Sequence, residues 1–223
     1  METILELKDV SYSYVTPVET VTILENANAT FEAGKLYAIV GPSGSGKTTT
    51  LTLAGALESP GGGEVLYKGR NIREIGYSNY RNQDVGFVFQ AYNLLTYLTP
   101  FQNLMTAMEV TKNDIPDRKT RAEELLSRMG ITKEQMHRNV NRLSGGEQQR
   151  VAIARALSTQ ADLILADEPT GNLDENPAAG IMEIFRELAQ EGKCVIAVTH
   201  SVDFSEKADV VYRLEKHKLV QFF

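Results

Sequence analysis

The chain has 223 residues and a formal net charge of −6. This length accommodates one large α/β domain, and the acidic balance argues against general affinity for nucleic-acid backbone. The one cysteine, Cys194, excludes an intramolecular disulfide framework, and its apolar run CVIAV predicts a buried strand residue. The sequence has no apolar run of about 18 residues and no signal peptide, so we expect a soluble, cytoplasmic protein.

The first part of the chain is predicted to be rich in strands. ILELKDV alternates apolar and polar residues, and KLYAIV is a short apolar run that ends at Gly41, as expected of a buried central strand. TTTLTLAGAL follows as a predicted helix, and EVLYKG and VGFVFQ are further predicted strands.

From about Thr99 to Arg142 helical patterns dominate. In RAEELLSRMG, four apolar residues are spaced i, i+3, i+4 and i+7, and Gly130 is placed to terminate the helix. The four are Ala122, Leu125, Leu126 and Met129. We predict a helical subdomain over about 99–157, inserted into an α/β core formed by 1–98 and 158–223.

The last part returns to alternating elements. LILADEPTG and CVIAVTH are predicted strands, PAAGIMEIFRELAQEGK lies between them as a helix, and DVVYRLEKHKLVQFF reads as two closing β segments. Strands that alternate with helices predict an α/β fold with a mostly parallel sheet and right-handed crossovers.

Gly41–Thr48 spells GPSGSGKT, which matches the phosphate-binding pattern G-x-x-x-x-G-K-[ST] between a strand and a helix. Its backbone N–H groups and the helix N-terminus attract phosphate, Lys47 adds a charge for the β/γ-phosphates, and the Thr48 hydroxyl suits Mg²⁺. The predicted nucleotide-binding residues are Gly41, Ser43, Gly44, Ser45, Gly46, Lys47, Thr48 and Thr49.

The phosphate-binding pattern does not choose between ATP and GTP. TKND at 111–114 resembles a guanine-reading tetrapeptide, but it precedes the carboxylate-bearing strand and is interpreted as a solvated loop.

Asp167 and Glu168 end one apolar strand, and His200 ends the next. Strand carboxyl ends face the ligand crevice of an open α/β sheet, so Asp167 is a candidate Mg²⁺ ligand. Neighbouring strand residues point to opposite faces, which leaves Glu168 to polarise the attacking water, a role worth about 10²–10⁴-fold in rate. His200 is a candidate hydrogen-bond partner of the γ-phosphate and that water.

RLSGGEQQRVAIARAL, residues 142–157, places two glycines at the start of a helix with an apolar stripe. With the phosphate loop, LSGGEQQR and LADEP in this order, the chain resembles the ATP-binding subunit of ABC transporters over essentially its whole length. The resemblance implies a P-loop ATPase fold with a RecA-like core, an antiparallel β subdomain and a helical subdomain, and it implies ATP and Mg²⁺ as cofactors.

The resemblance also implies a head-to-tail pair with a second copy of the chain. Ser144, Gly145, Gly146 and Glu147 would face the ATP on the partner's phosphate loop, and Asp174 would couple the two sites. The adenine would stack on Tyr14. Tyr12 is the alternative register, and a plain surface role for both tyrosines stays open.

By the same resemblance, Gln90 would reach Mg²⁺ and the attacking water and would begin the segment that senses a membrane partner. VGFVFQAYNLLTYLTPFQNL and DEPTGNLD look most like the group that serves macrolide-exporter, lipoprotein-release and FtsX-like permeases. The expected partners are a separate integral membrane permease, which would hold the chain at the inner face of the membrane, and an extracytoplasmic adaptor.

Two other functions fit parts of this pattern. An ATP-driven switch that acts through an FtsX-like partner on a cell-wall hydrolase or a sensor kinase would carry the same motifs, so it stays open. DNA-repair and chromosome ATPases carry long coiled-coil insertions, whereas here about 100 residues without sustained heptads separate Lys47 from Ser144. With the acidic charge, this spacing predicts no nucleic-acid partner.

Overall fold

The computed structural model describes residues 2–111 and 114–222. Its strands, in chain order, are β1 Thr3–Val15, β2 Thr20–Glu32, β3 Leu36–Val40, β4 Gly62–Tyr67, β5 Arg70–Asn71, β6 Val85–Val88, β7 Leu163–Asp167, β8 Cys194–Val198, β9 Val210–Glu215 and β10 Lys218–Gln221. They form a six-stranded sheet in the order β10-β9-β3-β8-β7-β6 and a four-stranded sheet in the order β2-β1-β4-β5. The first sheet is parallel except for β10, and the second is antiparallel.

The helices are α1 Lys47–Ala54, α2 Ile72–Ile75, α3 Tyr77–Gln83, α4 Pro100–Thr111, α5 Arg118–Arg128, α6 Lys133–Met136, α7 Gly145–Ser158, α8 Glu175–Gln190 and α9 Val202–Glu206, with a 3₁₀ turn at Val140–Arg142. Helices α4 to α7 follow one another between β6 and β7, with no strand between them among the described residues. The α/β fold class predicted from the sequence is confirmed. The division into a core and a subdomain at 99–157 stays a prediction.

The six-stranded sheet is buried on both faces. In β3, Leu36 and Ala38 join the apolar cluster that contains helices α4, α5, α7 and α8, whereas Tyr37 and Ile39 join the cluster of α1 and the antiparallel sheet. The same alternation occurs in β7 and β8. Burial on both faces explains why these strands read as continuous apolar runs.

The predicted features of α5 and β8 agree with the structure. The four apolar residues of the α5 pattern are buried, and Gly130, with φ +71°, follows the helix end. Ile131 donates its N–H to the Leu126 carbonyl over 2.9 Å, which closes the C-terminus. Cys194 is buried as predicted, and burial raises the pKa of its thiol.

Sequence reasoning missed β2, α2, α3, α9 and the two-residue strand β5. The alternation of β2 is broken, since Ile23 and Leu24 are both buried and the next two residues are both exposed, and its pairing with β1 is interrupted by register shifts. Asp9 and Asn26 have φ of +50° and +48°, so the period-2 pattern breaks near both of them. Helices α2, α3 and α9 have only 4, 7 and 5 residues, too few to show a helical period.

Within the described ranges, no helix combines the length and apolar character that crossing a bilayer requires. Of the tetrapeptide TKND, Lys112 and Asn113 lie outside the described residues, and Asp114 is exposed.

Asp162 joins the two sheets. Its carboxylate accepts hydrogen bonds from Lys68, in the turn after β4, at 2.8 Å and from Lys193, before β8, at 3.1 Å. Burial raises the pKa of Asp162, but the two lysines outweigh burial and hold the pKa below its ordinary 3.8. Because the folded pKa is depressed, this contribution is present above the ordinary pKa and is lost as pH falls through the folded one.

We predict that Asp162→Asn lowers the free energy of unfolding by about 1 kcal/mol or less, because the carboxylate is partly exposed. The loss should be constant from about pH 5 to about pH 8 and smaller in 1 M salt. Urea unfolding measures it, with the exposed Glu123→Gln as control. A loss that is the same at high salt, or one matched by the control, contradicts the assigned ion pairs.

Candidate nucleotide-binding site

The loop between β3 and α1 has a backbone that only glycine accommodates easily. Gly44 and Gly46 have φ of +74° and +103°, in the region that disfavours side chains. A Cβ on Gly46 would lie 2.3 Å from Cγ2 of Ile23, and one on Gly41 would lie 2.8 Å from the Leu214 carbonyl oxygen. The tight curl that the sequence predicted is therefore enforced by packing as well as by conformation.

Helix α1 begins directly after this loop. The Thr50 N–H bonds the Gly46 carbonyl over 2.8 Å, so the N–H groups of Lys47, Thr48 and Thr49 precede the first intrahelical bond. These residues line a cleft of ≈ 570 Å³. Its lining comprises Tyr14, Ile23, Ser43, Gly44, Gly46, Lys47, Thr48, Thr49, Gln90, Glu168, Gly171 and His200.

The cleft fits a phosphate-bearing ligand in size and chemistry. Its volume lies within the usual range for small-molecule sites, and a helix N-terminus opens into it. The hydroxyl oxygen of Ser45 is buried and has no hydrogen-bond partner in the described part of the chain. Ser45 does not itself line this cleft, and its N–H donates to the Pro42 carbonyl over 3.2 Å, so its hydroxyl adds nothing to the fit.

Lys47 is held at the floor of the cleft. Its ammonium donates to the carbonyl of Gly41 at 3.1 Å and to that of Pro42 at 2.9 Å, and it lies 3.1 Å from Nε2 of His200. Burial lowers the pKa of Lys47, while the charges of Glu168 and Asp167 act in the opposite direction. A poorly solvated cation in this position is well suited to bind an anion.

Asp167 and Thr48 meet at the carboxyl end of β7. The Thr48 hydroxyl donates to Oδ1 of Asp167 over 3.0 Å. Burial raises the pKa of Asp167, and the Thr48 hydrogen bond and the Lys47 charge partly offset it. A carboxylate that is costly to leave charged gains from a cation, so the pair fits a metal site.

The donor set around Asp167 is one that Mg²⁺ accepts. A hydroxyl, one carboxylate and the side-chain carbonyl of Gln90 are hard oxygen ligands, and Mg²⁺ usually takes its remaining ligands from phosphates and water. Among residues 2–111 and 114–222, no group of three or more His, Cys, Asp or Glu side chains could hold a metal.

Glu168 lies just beyond β7, and its backbone has φ +44°. Glu168 is therefore not a residue of the strand, and the alternation of side chains along β7 does not extend to it. The carboxylate accepts the His200 N–H at 3.2 Å, and its other oxygen lies 3.4 Å from His200 Nε2. Since Lys47 can only donate, Nε2 can accept from Lys47 or donate its proton to Glu168, but not both.

Gln90 follows β6 and lines the same cleft. It is joined to Asn172 by two hydrogen bonds, from Asn172 Nδ2 to the Gln90 backbone carbonyl at 2.9 Å and from Gln90 Nε2 to Asn172 Oδ1 at 3.3 Å. The sequence analysis did not single out Asn172, Gly171 or Ile23. Their contacts come from separate strands and loops, and no local pattern marks them.

Of the two tyrosines near the end of β1, only Tyr14 lines the cleft. Its hydroxyl lies 3.3 Å from Oγ1 of Thr49, whereas the Tyr12 hydroxyl donates to Glu58 over 3.3 Å. The two rings meet edge to face with centroids 5.1 Å apart. This geometry favours the Tyr14 register for a base-stacking role.

The N-terminus of α7 is closed by a capping box. Ser144 accepts the N–H of Glu147, and the Glu147 carboxylate accepts the N–H of Ser144 at 2.7 Å and its hydroxyl at 2.9 Å. The hydrogen bond from the Ser144 N–H is the main cause of a lowered pKa at Glu147. The structure thus gives Glu147 a capping role, which makes it a weaker candidate for direct contact with a partner's ATP.

Residues 144–147, the SGGE segment predicted to face a partner's ATP, are called the signature residues here. All four are described in the structure, and none of them lines the cleft. Asp174 also lies outside its lining and is the N-cap residue of α8, where its side chain makes no capping hydrogen bond. The structure thus brings together the phosphate loop, Gln90, Glu168, His200 and Tyr14, with Asp167 bonded to Thr48, and leaves the signature apart.

The family model described as "ABC transporter" matches residues 24–171. The uncharacterized ABC transporter ATP-binding protein YclH of Bacillus subtilis is 45% identical over 214 residues, which cover 96% of this chain and 94% of the relative. The macrolide export ATP-binding/permease protein MacB 2 of Yersinia pestis bv. Antiqua is 39% identical over 220 residues, which cover 97% of this chain and 32% of the relative.

A solved structure agrees with these sequence matches. It is the dimeric structure of a post-hydrolysis state of the ATP-binding cassette MJ0796 bound to ADP and Pi. The TM-score is 0.89 at 33% sequence identity, and the match covers 98% of both chains. The chain therefore belongs to the ABC transporter family, in which it is a P-loop ATPase cassette.

Proposed function

We propose that this chain is the ATP-hydrolysing subunit of a membrane complex and that two copies bind two ATP molecules head to tail. One observation carries the proposal. The cleft gathers Lys47, Thr48, Glu168 and His200, whereas the capped N-terminus of α7 does not line it. A second copy would supply that helix end to the open side of the phosphate loop.

Each group in the cleft then has a chemical task. The N–H groups of the phosphate loop and Lys47 bind the phosphates, and Tyr14 supports the adenine. Thr48, Asp167 and Gln90 hold Mg²⁺, which when bound neutralises charge on the phosphates. Glu168, fixed by the His200 N–H, accepts the proton of the attacking water, and the His200 ring orients Glu168 and the terminal phosphate.

The partner's Ser144 to Gly146 would complete the site. A helix N-terminus with two glycines allows close backbone approach, and its dipole favours an anion. Asp174, the N-cap residue of α8, makes no side-chain capping bond, and we assign it a contact with the other copy. ATP would thus hold the pair together, and its hydrolysis would release it. The MJ0796 cassette is dimeric in a post-hydrolysis state with ADP and Pi, which supports the pairing of two copies and a release that follows hydrolysis, when the products leave.

We further propose that the dimer acts from the cytoplasmic face on a separate permease, in export or in mechanical transmission. The MacB match supports this role, because that relative is named a macrolide export ATP-binding/permease protein and this chain spans about a third of it. An extracytoplasmic adaptor belongs to the same proposal. Co-purification with the permease encoded nearest to this chain's gene tests it, and a permease that neither binds the chain nor stimulates its ATPase activity contradicts it.

We predict that Lys47→Ala weakens ATP binding by about 30-fold or more, because removal of a partly buried charge partner costs about 2 kcal/mol or more. Calorimetry measures the affinity, and Lys218→Ala, at an exposed residue of β10, is the control. Unchanged affinity in Lys47→Ala contradicts the assignment of the phosphate loop.

We predict that Glu168→Gln binds ATP, lowers turnover by about 10²–10⁴-fold and accumulates as a dimer. The amide keeps the shape of the side chain but cannot accept the proton. Phosphate release and size-exclusion chromatography with ATP measure the two effects, with the exposed Glu187→Gln as control. Turnover at the wild-type rate rejects Glu168 as the base, and a monomer with bound ATP argues against the shared site.

A further inference from the structure

The side chain of Gln90 and that of Asn172 form a closed pair. Gln90 lies two residues after β6, and Asn172 lies in the loop between β7 and α8. Asn172 Nδ2 donates to the Gln90 backbone carbonyl over 2.9 Å, and Gln90 Nε2 donates to Asn172 Oδ1 over 3.3 Å. Each amide thereby limits the orientation of the other.

The orientation of both amides follows from hydrogen-bond chemistry. A backbone carbonyl can only accept, so Asn172 must present its NH₂ group to it. The Oδ1 atom of Asn172 then meets the Gln90 side chain and must receive an N–H. If the Gln90 amide were flipped, two carbonyl oxygens would face each other. Gln90 therefore donates an N–H to Asn172, which leaves its Oε1 atom to accept from, or bind, another partner.

Gly171 limits the space available to the Gln90 amide. A Cβ on Gly171 would lie 3.1 Å from Gln90 Nε2 and 3.5 Å from the Cβ of Glu168. Its φ is not positive, so the close approach, not the backbone conformation, is what a side chain would disturb. Gly171 and Gln90 both line the cleft that holds Thr48.

We propose that Asn172 is a positioning residue that turns the Gln90 carbonyl oxygen toward the Mg²⁺ held by Thr48 and Asp167. A cation binds the oxygen of an amide and is repelled by its NH₂ group, so the orientation decides whether Gln90 is a ligand. The inference rests on the proposed function, since it requires a nucleotide and Mg²⁺ in this cleft.

The test measures how much Mg²⁺ strengthens nucleotide binding, without hydrolysis. The affinity of the full chain for the β,γ-imido analogue of ATP is measured by calorimetry with Mg²⁺ and with EDTA. Asn172→Leu removes both hydrogen bonds at similar volume. The Mg²⁺ enhancement should fall by about 10-fold, as expected when the partner of a metal ligand is lost, and the affinity in EDTA should not change.

Asn79→Leu is the matched control, because Asn79 on α3 donates the same kind of bond to the Ile75 carbonyl, at 3.3 Å, and does not line the cleft. Gly171→Ala is a second perturbation and should also lower the enhancement. Gly180→Ala on α8 is its control, since a Cβ there meets nothing within 4 Å.

The Gln90→Glu background distinguishes two roles of Asn172: orienting the Gln90 amide, and merely holding the loop between β7 and α8 in place. A carboxylate presents oxygen whichever way it turns, so Asn172→Leu should no longer lower the Mg²⁺ enhancement there. An equal loss in both backgrounds, or no loss in the Gln90 background, overturns the inference while the proposed function stands. A wild-type chain that fails to bind the analogue overturns the proposed function itself.

Discussion

The parallel pairing of β3, β8 and β7 brings the carboxyl ends of three adjacent strands to one edge of the sheet. The phosphate loop follows β3, Asp167 and Glu168 stand at the end of β7, and His200 follows β8. The hydrogen bond from Thr48 to Asp167 and the contacts of His200 with Lys47 and Glu168 depend on this alignment. Groups more than 100 residues apart in sequence thus become one site, as the position of ligands in open α/β sheets leads one to expect.

Helix α7 is tied to this edge at two further points. Buried Gln149 donates to the Pro169 carbonyl over 2.8 Å, just after the carboxylates. Arg155 donates to the carbonyls of Tyr92 and Asn93, in the segment that follows Gln90. Both of those residues have positive φ, so the guanidinium holds an otherwise unfavourable turn. A movement of α7 would therefore shift both the segment that follows the carboxylates and the segment that follows Gln90.

Much of this arrangement could be predicted from the sequence because its signals are local. GPSGSGKT encodes its own backbone geometry, apolar runs mark strands buried on both faces, and the spacing of Ala122, Leu125 and Leu126 marks one helix face. The missed parts depend on contacts between distant segments. Strand β2 is defined by its pairing with β1, Ile23 by its fit against Gly46, and Asn172 by the Gln90 carbonyl. The left-handed backbone of Glu168 was not foreseen, because this residue lies one position beyond the end of β7 and no local pattern marks the turn.

The central claim is that each ATP site takes its phosphate loop from one copy and its signature helix from the other. Mixing two inactive variants tests it most directly. Lys47→Ala removes the phosphate contact. In the second variant, Ser144→Asp sets a negative charge against the partner's nucleotide and can still cap α7, and Glu147→Gln removes the carboxylate that would otherwise repel the new aspartate. We predict that the 1:1 mixture hydrolyses ATP although neither variant does alone, because a mixed pair contains one intact composite site. If both variants are folded and associate but their mixture stays inactive, the shared site is contradicted.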